Sequence, residues 1–210
     1  MVALIKEVLP AIIASDQEGL HEMLNRVKDF AGNIMLDLMD GKLVKASSLD
    51  FPMSLPEGPR YQFHVMAVDP IQRLINAPDE VDTVVLHAET LDDIEVAVEA
   101  AHEKKVKLFI ALNPETPISV LEPYLDRLDG VLIMSVHPGQ YGAKFLPEQL
   151  EKVKEIRAHS ETITIEVDGG MNDKTMVTAV NAGANQIASG SYIMKSGDPE
   201  AAYESLRALF

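Results

Sequence analysis

The chain contains no cysteine, which excludes disulfide frameworks, thiolate nucleophiles and cysteine-ligated zinc. Positive charge is scarce. Eighteen Lys and Arg stand against 33 Asp and Glu, a formal net charge of −15. A surface that acidic repels a phosphate backbone over most of its area, so no nucleic-acid partner is expected. Nowhere does an apolar run approach the roughly 18 residues that a membrane span needs, so no membrane partner is expected either. Residues 2–14 are mostly apolar, but Lys6 and Glu7 interrupt them and leave no uninterrupted core for a signal peptide. The chain reads as cytoplasmic, and the missing cysteines permit a reducing compartment.

What is present is a well-packed composition, 47% hydrophobic and 24% charged over 210 residues, which is unlike a disordered chain. At roughly 150 residues per domain, residues 1–210 form one domain. Short apolar runs recur over 11–14, 33–38, 61–66, 82–87, 106–112, 130–136, 162–168 and 184–189, their starts 21 to 32 residues apart. That spacing accommodates a strand, a loop and a short helix. Runs such as Val131-Leu132-Ile133-Met134 are continuous rather than alternating, the mark of strands buried on both faces in a parallel sheet.

Helical patterns fill most of the gaps. Leu20, Leu24, Val27 and Phe30 share a face behind Asp16 as a cap. Leu91, Ile94, Val98 and Ala101 repeat the pattern, as do Leu146, Leu150, Val153 and Ile156, with Pro147 near the first helical position where its missing N–H costs little. Met176, Val177 and Val180 precede Gly183, a helix stop. Residues 44–58 show little periodicity and predict an irregular loop or one short helix. Eight strands alternating with helices indicate a (β/α)8 TIM barrel. A doubly wound open sheet would place a G-x-G-x-x-G turn after its first strand, and Ala14-Ser15-Asp16-Gln17 is not one.

In such a barrel the chemistry sits at the C-terminal strand ends. Those ends carry Asp37, Met39 and Asp40; His64 and Met66; His87 and Glu89; Asn113; the segment from Met134 to Gly139; Asp168-Gly169-Gly170; and Gly190-Ser191. Asp37 and Asp168 lie three strands apart through the closure, so their carboxylates can face each other across one substrate carbon and exchange a proton with it. Each could instead simply begin a turn, and for Asp40-Gly41 the turn reading is preferred. Asp37, between Leu36 and Leu38, fits a turn less well, because a buried carboxylate needs a partner. The glycine turns around Gly139 and Gly142, at Gly169-Gly170 and at Gly190-Ser191 can offer main-chain N–H groups to a phosphate, or can merely be tight loops. His21, His102 and His159 fall on helices and read as solvated. His64 with the two aspartates makes an imidazole-plus-carboxylate metal site, although a lone histidine there is as often structural.

The segments Leu9 to Asp16, Leu36 to Gly41, Phe63 to Met66, Leu112 to Pro117, Met134 to Gly139, Ile165 to Gly170 and Ala182 to Ser191 resemble, in order and over nearly the whole chain, the ribulose-phosphate 3-epimerase family. The resemblance implies a barrel of the ribulose-phosphate-binding type that interconverts D-ribulose 5-phosphate and D-xylulose 5-phosphate through an enediolate. Asp37 and Asp168 match the family's acid/base pair. Met39, Met66 and Met134 match methionines that cover the enediolate, although core filling explains them equally well. His64, Gly139, Gly142, Gly169, Gly170, Gly190 and Ser191 would complete the substrate site. A divalent ion (Zn, Fe, Mn or Co) is implied, with Asp37, His64 and Asp168 as ligands. Family members are commonly oligomeric, so a homo-oligomer is expected.

Departures from the family pattern cluster at the site. Met35 stands where the family has a further metal histidine, and a thioether is a poor ligand for hard divalent ions. Ala11 replaces a serine, residues 44–51 differ, and Tyr141 and Ala143 alter the phosphate loop. An epimerase for a different ketose phosphate and a non-catalytic sugar-phosphate binder are therefore the alternative readings. A hexulose-phosphate synthase or decarboxylase would carry Asp-x-Lys-x-x-Asp around the third strand, and Phe63 to Asp69 lacks the lysine.

Overall fold

In the computed structural model, residues 4–139 and 144–210 are described. The strands are β1 (Glu7–Ile12), β2 (Asn33–Asp40), β3 (Ser47–Ser48), β4 (Arg60–Met66), β5 (Val81–His87), β6 (Lys107–Leu112), β7 (Gly130–Met134), β8 (Thr164–Asp168) and β9 (Gln186–Ser189). All pair in parallel except β3, which lies antiparallel on β2. The order β1-β9-β8-β7-β6-β5-β4-β2, closed by β1 against β2, makes an eight-stranded (β/α)8 TIM barrel with β3 as a flap on its rim.

Strand alternation divides the core in two. On β2, Ile34, Leu36 and Leu38 point outward into a large layer shared with the helices, whereas Met35 belongs to a separate cluster with Leu9, Ala11, Val85, Phe109, Leu132 and Ala188 that fills the lumen. Period-two side-chain direction then carries Asp37 and Met39 inward above Met35. The same rule sends Ile165 and Val167 of β8 outward and turns Glu166 and Asp168 to the lumen.

The helices are α1 (Gln17–Asn25), α2 (Pro70–Ile75), α3 (Ile94–Lys104), α4 (Leu150–His159), α5 (Thr175–Ala182), α6 (Ser191–Met194) and α7 (Pro199–Arg207). Asp16 caps α1 as expected, accepting from the Gly19 N–H at 2.8 Å. Asp93 does the same for α3 through the Glu95 N–H at 2.9 Å. Gly183 ends α5 at φ +116°, a conformation that favours glycine. His21, His102 and His159 lie exposed on α1, α3 and α4. No helix among the described residues is long and apolar enough to cross a membrane.

Two expectations are corrected. The first strand runs over Glu7–Ile12, four residues earlier than the apolar run at 11–14. Glu7 hides the strand from a hydrophobicity reading because it points into the N-terminal mouth of the barrel, where Asn33 and Arg60 donate to it. Residues 44–58 hold neither a helix nor a wholly irregular loop, since Ser47–Ser48 pair with Asp40 and Met39. Main-chain and hydroxyl bonds to Ala14 tie this flap to the turn after β1: the Leu49 N–H donates to the Ala14 carbonyl at 2.9 Å, and the Ala14 N–H donates to Ser48 Oγ at 3.1 Å. Alternation and turn residues do not reveal a two-residue strand.

Gly130 shows how tightly the lumen is filled. A Cβ at this position would lie 2.5 Å from the Phe109 ring, which is itself buried in the lumen cluster. Gly130→Ala should therefore cost about 1–3 kcal/mol through overpacking. Urea unfolding checks this; an unchanged midpoint would mean that the ring has room to move.

Candidate active site

A cavity opens at the C-terminal ends of the strands. Asp37 and Asp168 lie at its floor, Met39, Met66 and Met134 form its walls, and the turns at Gly139, Gly169-Gly170 and Gly190-Ser191 frame it. Ala11, Ile13 and Ala46 complete an apolar side. The structure thus brings together the expected residues except two. Gly142, like Tyr141 and Ala143, lies outside the described residues. His64 is fully buried and does not line the cavity; only through the aspartates in front of it does it meet the cavity floor.

No Lys or Arg is among the described lining residues, so an anion bound here would depend on main-chain dipoles. Gly169 and Gly170 have φ of +111° and +66°, and a Cβ on Gly169 would meet Val136 at 2.5 Å. Both the backbone conformation and the close approach require glycine. Ser135, buried behind this turn, donates its hydroxyl to the carbonyls of Asp168 and Gly169 at 2.9 and 2.7 Å, which fixes the turn against β7. Asp40 is not part of the cavity. It accepts from the Lys42, Leu43 and Val68 N–H groups at 2.8, 2.9 and 2.9 Å, in keeping with the turn reading.

Burial dominates the electrostatics. The side chains of Asp37 and Asp168 are only 11% and 16% exposed. Loss of water pushes Asp37 up to about 7, partly opposed by His87. Asp168 also rises to about 7, through burial first and then the Asp37 charge, against His64 and the Gly169 N–H. Burial lowers both His64 and His87. Beneath them, Glu166 is wholly buried and its carboxyl is raised well above the ordinary range by burial, against a hydrogen bond from Gln62.

His64 sits at the hub of this network. Its Nδ1 is 3.0 Å from Asp37 Oδ1 and 3.9 Å from Asp168 Oδ2. Its Nε2 is 2.9 Å from Nε2 of His87, and His87 Nδ1 lies 3.5 Å from Glu89 Oε2. Burial would raise Glu89, but the His87 ring 3.5 Å away and hydrogen bonds from the Thr116 hydroxyl and the Asn113 N–H outweigh it and bring the carboxyl down to about 2. His87 and Glu89 are legible in the sequence as polar residues at a strand end, but nothing there links them to His64. Sequence reasoning misses Glu166; Thr164-x-Glu166-x-Asp168 on one strand face is the signal that finds it.

Ligand atoms of Asp37, His64 and Asp168 lie within 4.8 Å of one another. Two carboxylates driven toward neutrality by burial, with an imidazole beside them, suit a divalent cation, which would relieve the charge they cannot otherwise hold. Met35, fully buried, packs in the lumen cluster one layer below Asp37 and adds no nitrogen donor to this oxygen-rich set.

Comparison with known proteins agrees with this geometry. The chain is 30% identical over 211 residues to a ribulose-phosphate 3-epimerase of Schizosaccharomyces pombe, covering 96% of this chain and 92% of that one. It is 33% identical over 216 residues to the ribulose-phosphate 3-epimerase of Mycobacterium bovis, covering 95% and 91%. Among solved structures, a 3-hexulose-6-phosphate synthase from Salmonella typhimurium superposes with a TM-score of 0.71 at 14% identity, over 97% of this chain and 97% of that one; a likeness at that identity shows the shared barrel alone. The model of the ribulose-phosphate 3 epimerase family matches residues 7–194, and the chain belongs to that family.

Proposed function

We propose that this chain interconverts D-ribulose 5-phosphate and D-xylulose 5-phosphate by passing the C3 proton between Asp37 and Asp168. The observation that carries the reading is the pair of buried carboxyls on one cavity floor, both held near 7. A two-base epimerisation needs one carboxylate to take a proton and one carboxylic acid to return one. Like charges this close resist double ionisation, so near neutrality the singly protonated pair is favoured. That is the starting state the reaction requires.

The C3 hydrogen of a 2-ketose is acidic because its loss gives an enediolate conjugated with the C2 oxygen. The ionised aspartate removes it from one face, and the protonated aspartate delivers a proton to the other, with inversion at C3. Met39, Met66 and Met134 cover the cavity with polarisable side chains that have no exchangeable proton, which limits stray protonation of the intermediate. The turns at Gly139, Gly169-Gly170 and Gly190-Ser191 hold the phosphate through main-chain N–H groups. Asp37, His64 and Asp168 would hold a divalent ion, which supplies Lewis-acid polarisation of the substrate's C2 and C3 oxygens. The apolar side formed by Ala11, Ile13 and Ala46 supports a second reading, a ketose phosphate with a different hydroxyl pattern at that end.

The test is deuterium incorporation from heavy water, followed by NMR across several ketose phosphates with and without a chelator. Deuterium is expected at C3 of ribulose 5-phosphate, with xylulose 5-phosphate appearing, and the chelator should slow both. Preferential exchange of another ketose phosphate would favour the second reading. Binding without C3 exchange of any of them, with Mn2+ supplied, would make the chain a sugar-phosphate binder.

A further inference from the structure

β7 ends at Met134, and the next residue, Ser135, is fully buried. Its N–H donates to the Asp168 carbonyl at 2.7 Å. Its hydroxyl reaches the same carbonyl at 2.9 Å and the Gly169 carbonyl at 2.7 Å. Its own carbonyl accepts from the Leu146 N–H at 2.8 Å. N–H, hydroxyl and C=O are all engaged, and three of these four bonds run to the turn after β8.

The direction of those bonds decides what the turn presents. No peptide bond among the described residues is cis, so each peptide unit holds its C=O and N–H on opposite sides. Drawing the Asp168 and Gly169 carbonyls toward Ser135 therefore turns the Gly169 and Gly170 N–H groups away from it. The first faces the Asp168 carboxyl and favours its charged form. The second belongs to a glycine that lines the cavity. One buried hydroxyl thus sets two peptide planes, one beside the acid and one beside the space for an anion.

Packing acts on the same two residues. A Cβ on Gly169 would meet Val136 at 2.5 Å, and a Cβ on Gly170 would meet Phe145 at 3.1 Å. Val136 follows Ser135 in the chain and Phe145 precedes Leu146, so contact and hydrogen bonding converge on one short turn. Neither glycine has a side chain with which to anchor itself. The turn is held from outside.

We infer that Ser135 is a positioning residue that holds Asp168 and the Gly169-Gly170 turn as one unit, so that the grip on a phosphate and the alignment of the acid are set together. Ser135 is not among the residues that line the cavity, and it acts only through the main chain of its neighbours. The catalytic consequence rests on the epimerase reading above; the consequence for anion binding does not.

The test is Ser135→Ala in the full chain, with two readouts. Inorganic phosphate, titrated calorimetrically, should bind roughly 3- to 10-fold more weakly, the loss expected for one hydrogen bond. Deuterium exchange from heavy water at saturating ketose phosphate supplies the other. The epimer whose exchange Asp168→Asn abolishes is the one that faces Asp168, and Ser135→Ala should slow its exchange roughly 10- to 100-fold through misalignment. Exchange of the other epimer, which depends on Asp37, should stay near the wild-type rate. Should alanine leave the chain unstable, Ser135→Cys, close in size and a weaker donor, carries the same test with a smaller loss in the same direction. Equal slowing of both epimers, or of neither, would make Ser135 a packing residue and overturn the proposal, as would an unchanged phosphate affinity. A wild type that exchanges no ketose phosphate overturns the epimerase reading instead, and the phosphate titration then decides the role of Ser135 by itself.

Discussion

Asp37→Asn and Asp168→Asn should each slow interconversion of ribulose and xylulose 5-phosphates by roughly 10²- to 10⁴-fold, the range for loss of a positioned acid or base. The amide keeps the shape of the side chain and cannot accept the C3 proton. Exchange into each epimer, measured separately in heavy water, adds the stereochemical information. A variant that retains one base exchanges the epimer whose C3 hydrogen faces that base, so the two variants should show opposite preferences. Equal exchange of both epimers by either variant would mean that a single base serves both faces. Loss of folding is separable from loss of chemistry, because the Asp37 charge adds to burial in raising Asp168. Asp37→Asn removes that charge, and at pH 8 without metal the variant should unfold at or above the wild-type temperature while its activity collapses.

The barrel and the position of its site were legible because each depends on a local rule. A parallel barrel puts every strand's C-terminal end at one mouth, and period-two alternation then decides which side chains look inward. Asp37 between two leucines and Asp168 before two glycines satisfy both conditions. Glu7 defeated the same reading at the start of β1 because a polar lumen residue breaks an apolar run without ending a strand. The pairing of Ser47–Ser48 with β2 is accompanied by a bond from Ser48 to Ala14 just past β1, 34 residues away in the chain, which no short window contains. Linkage is the least legible property. His64, His87 and Glu89 each stand out as polar strand-end residues, yet the chain from Asp37 to Glu89 exists only through side-chain rotamers on β2, β4 and β5 and the turn after β5. The sequence accordingly suggests that His64 touches substrate, whereas its side chain is fully buried and not among the residues that line the cavity.

Metal should stabilise this protein strongly above neutrality and weakly below it. Asp37 and Asp168 titrate near 3.8 when unfolded and about 7 when folded. Between those values the native state retains protons that the unfolded chain has released, so the metal-free protein loses stability as pH rises through that window, by about 1.4 kcal/mol per pH unit for each proton retained. Below about 4 both states are protonated and the penalty vanishes; above about 7 it is fully present. A divalent cation held by the pair would displace one of the two protons, leave the other for the reaction and offset part of the penalty, so its binding is coupled to proton release. Mn2+ at a hundred times its dissociation constant contributes about 2.7 kcal/mol, or roughly 5–10 °C in Tm for a chain of this size. A shift of that order at pH 8, shrinking to a small fraction at pH 5.5 for the same Mn2+ concentration, is the expected thermal-unfolding result. Asp168→Asn should abolish it at both pH values by deleting a ligand and half of the buried acid. Met35→His, which would add a nitrogen donor one layer below the aspartates, should enlarge the pH 8 shift. An equal Mn2+ shift at both pH values, or one that survives in Asp168→Asn, would place the cation on the acidic surface and not between these carboxylates.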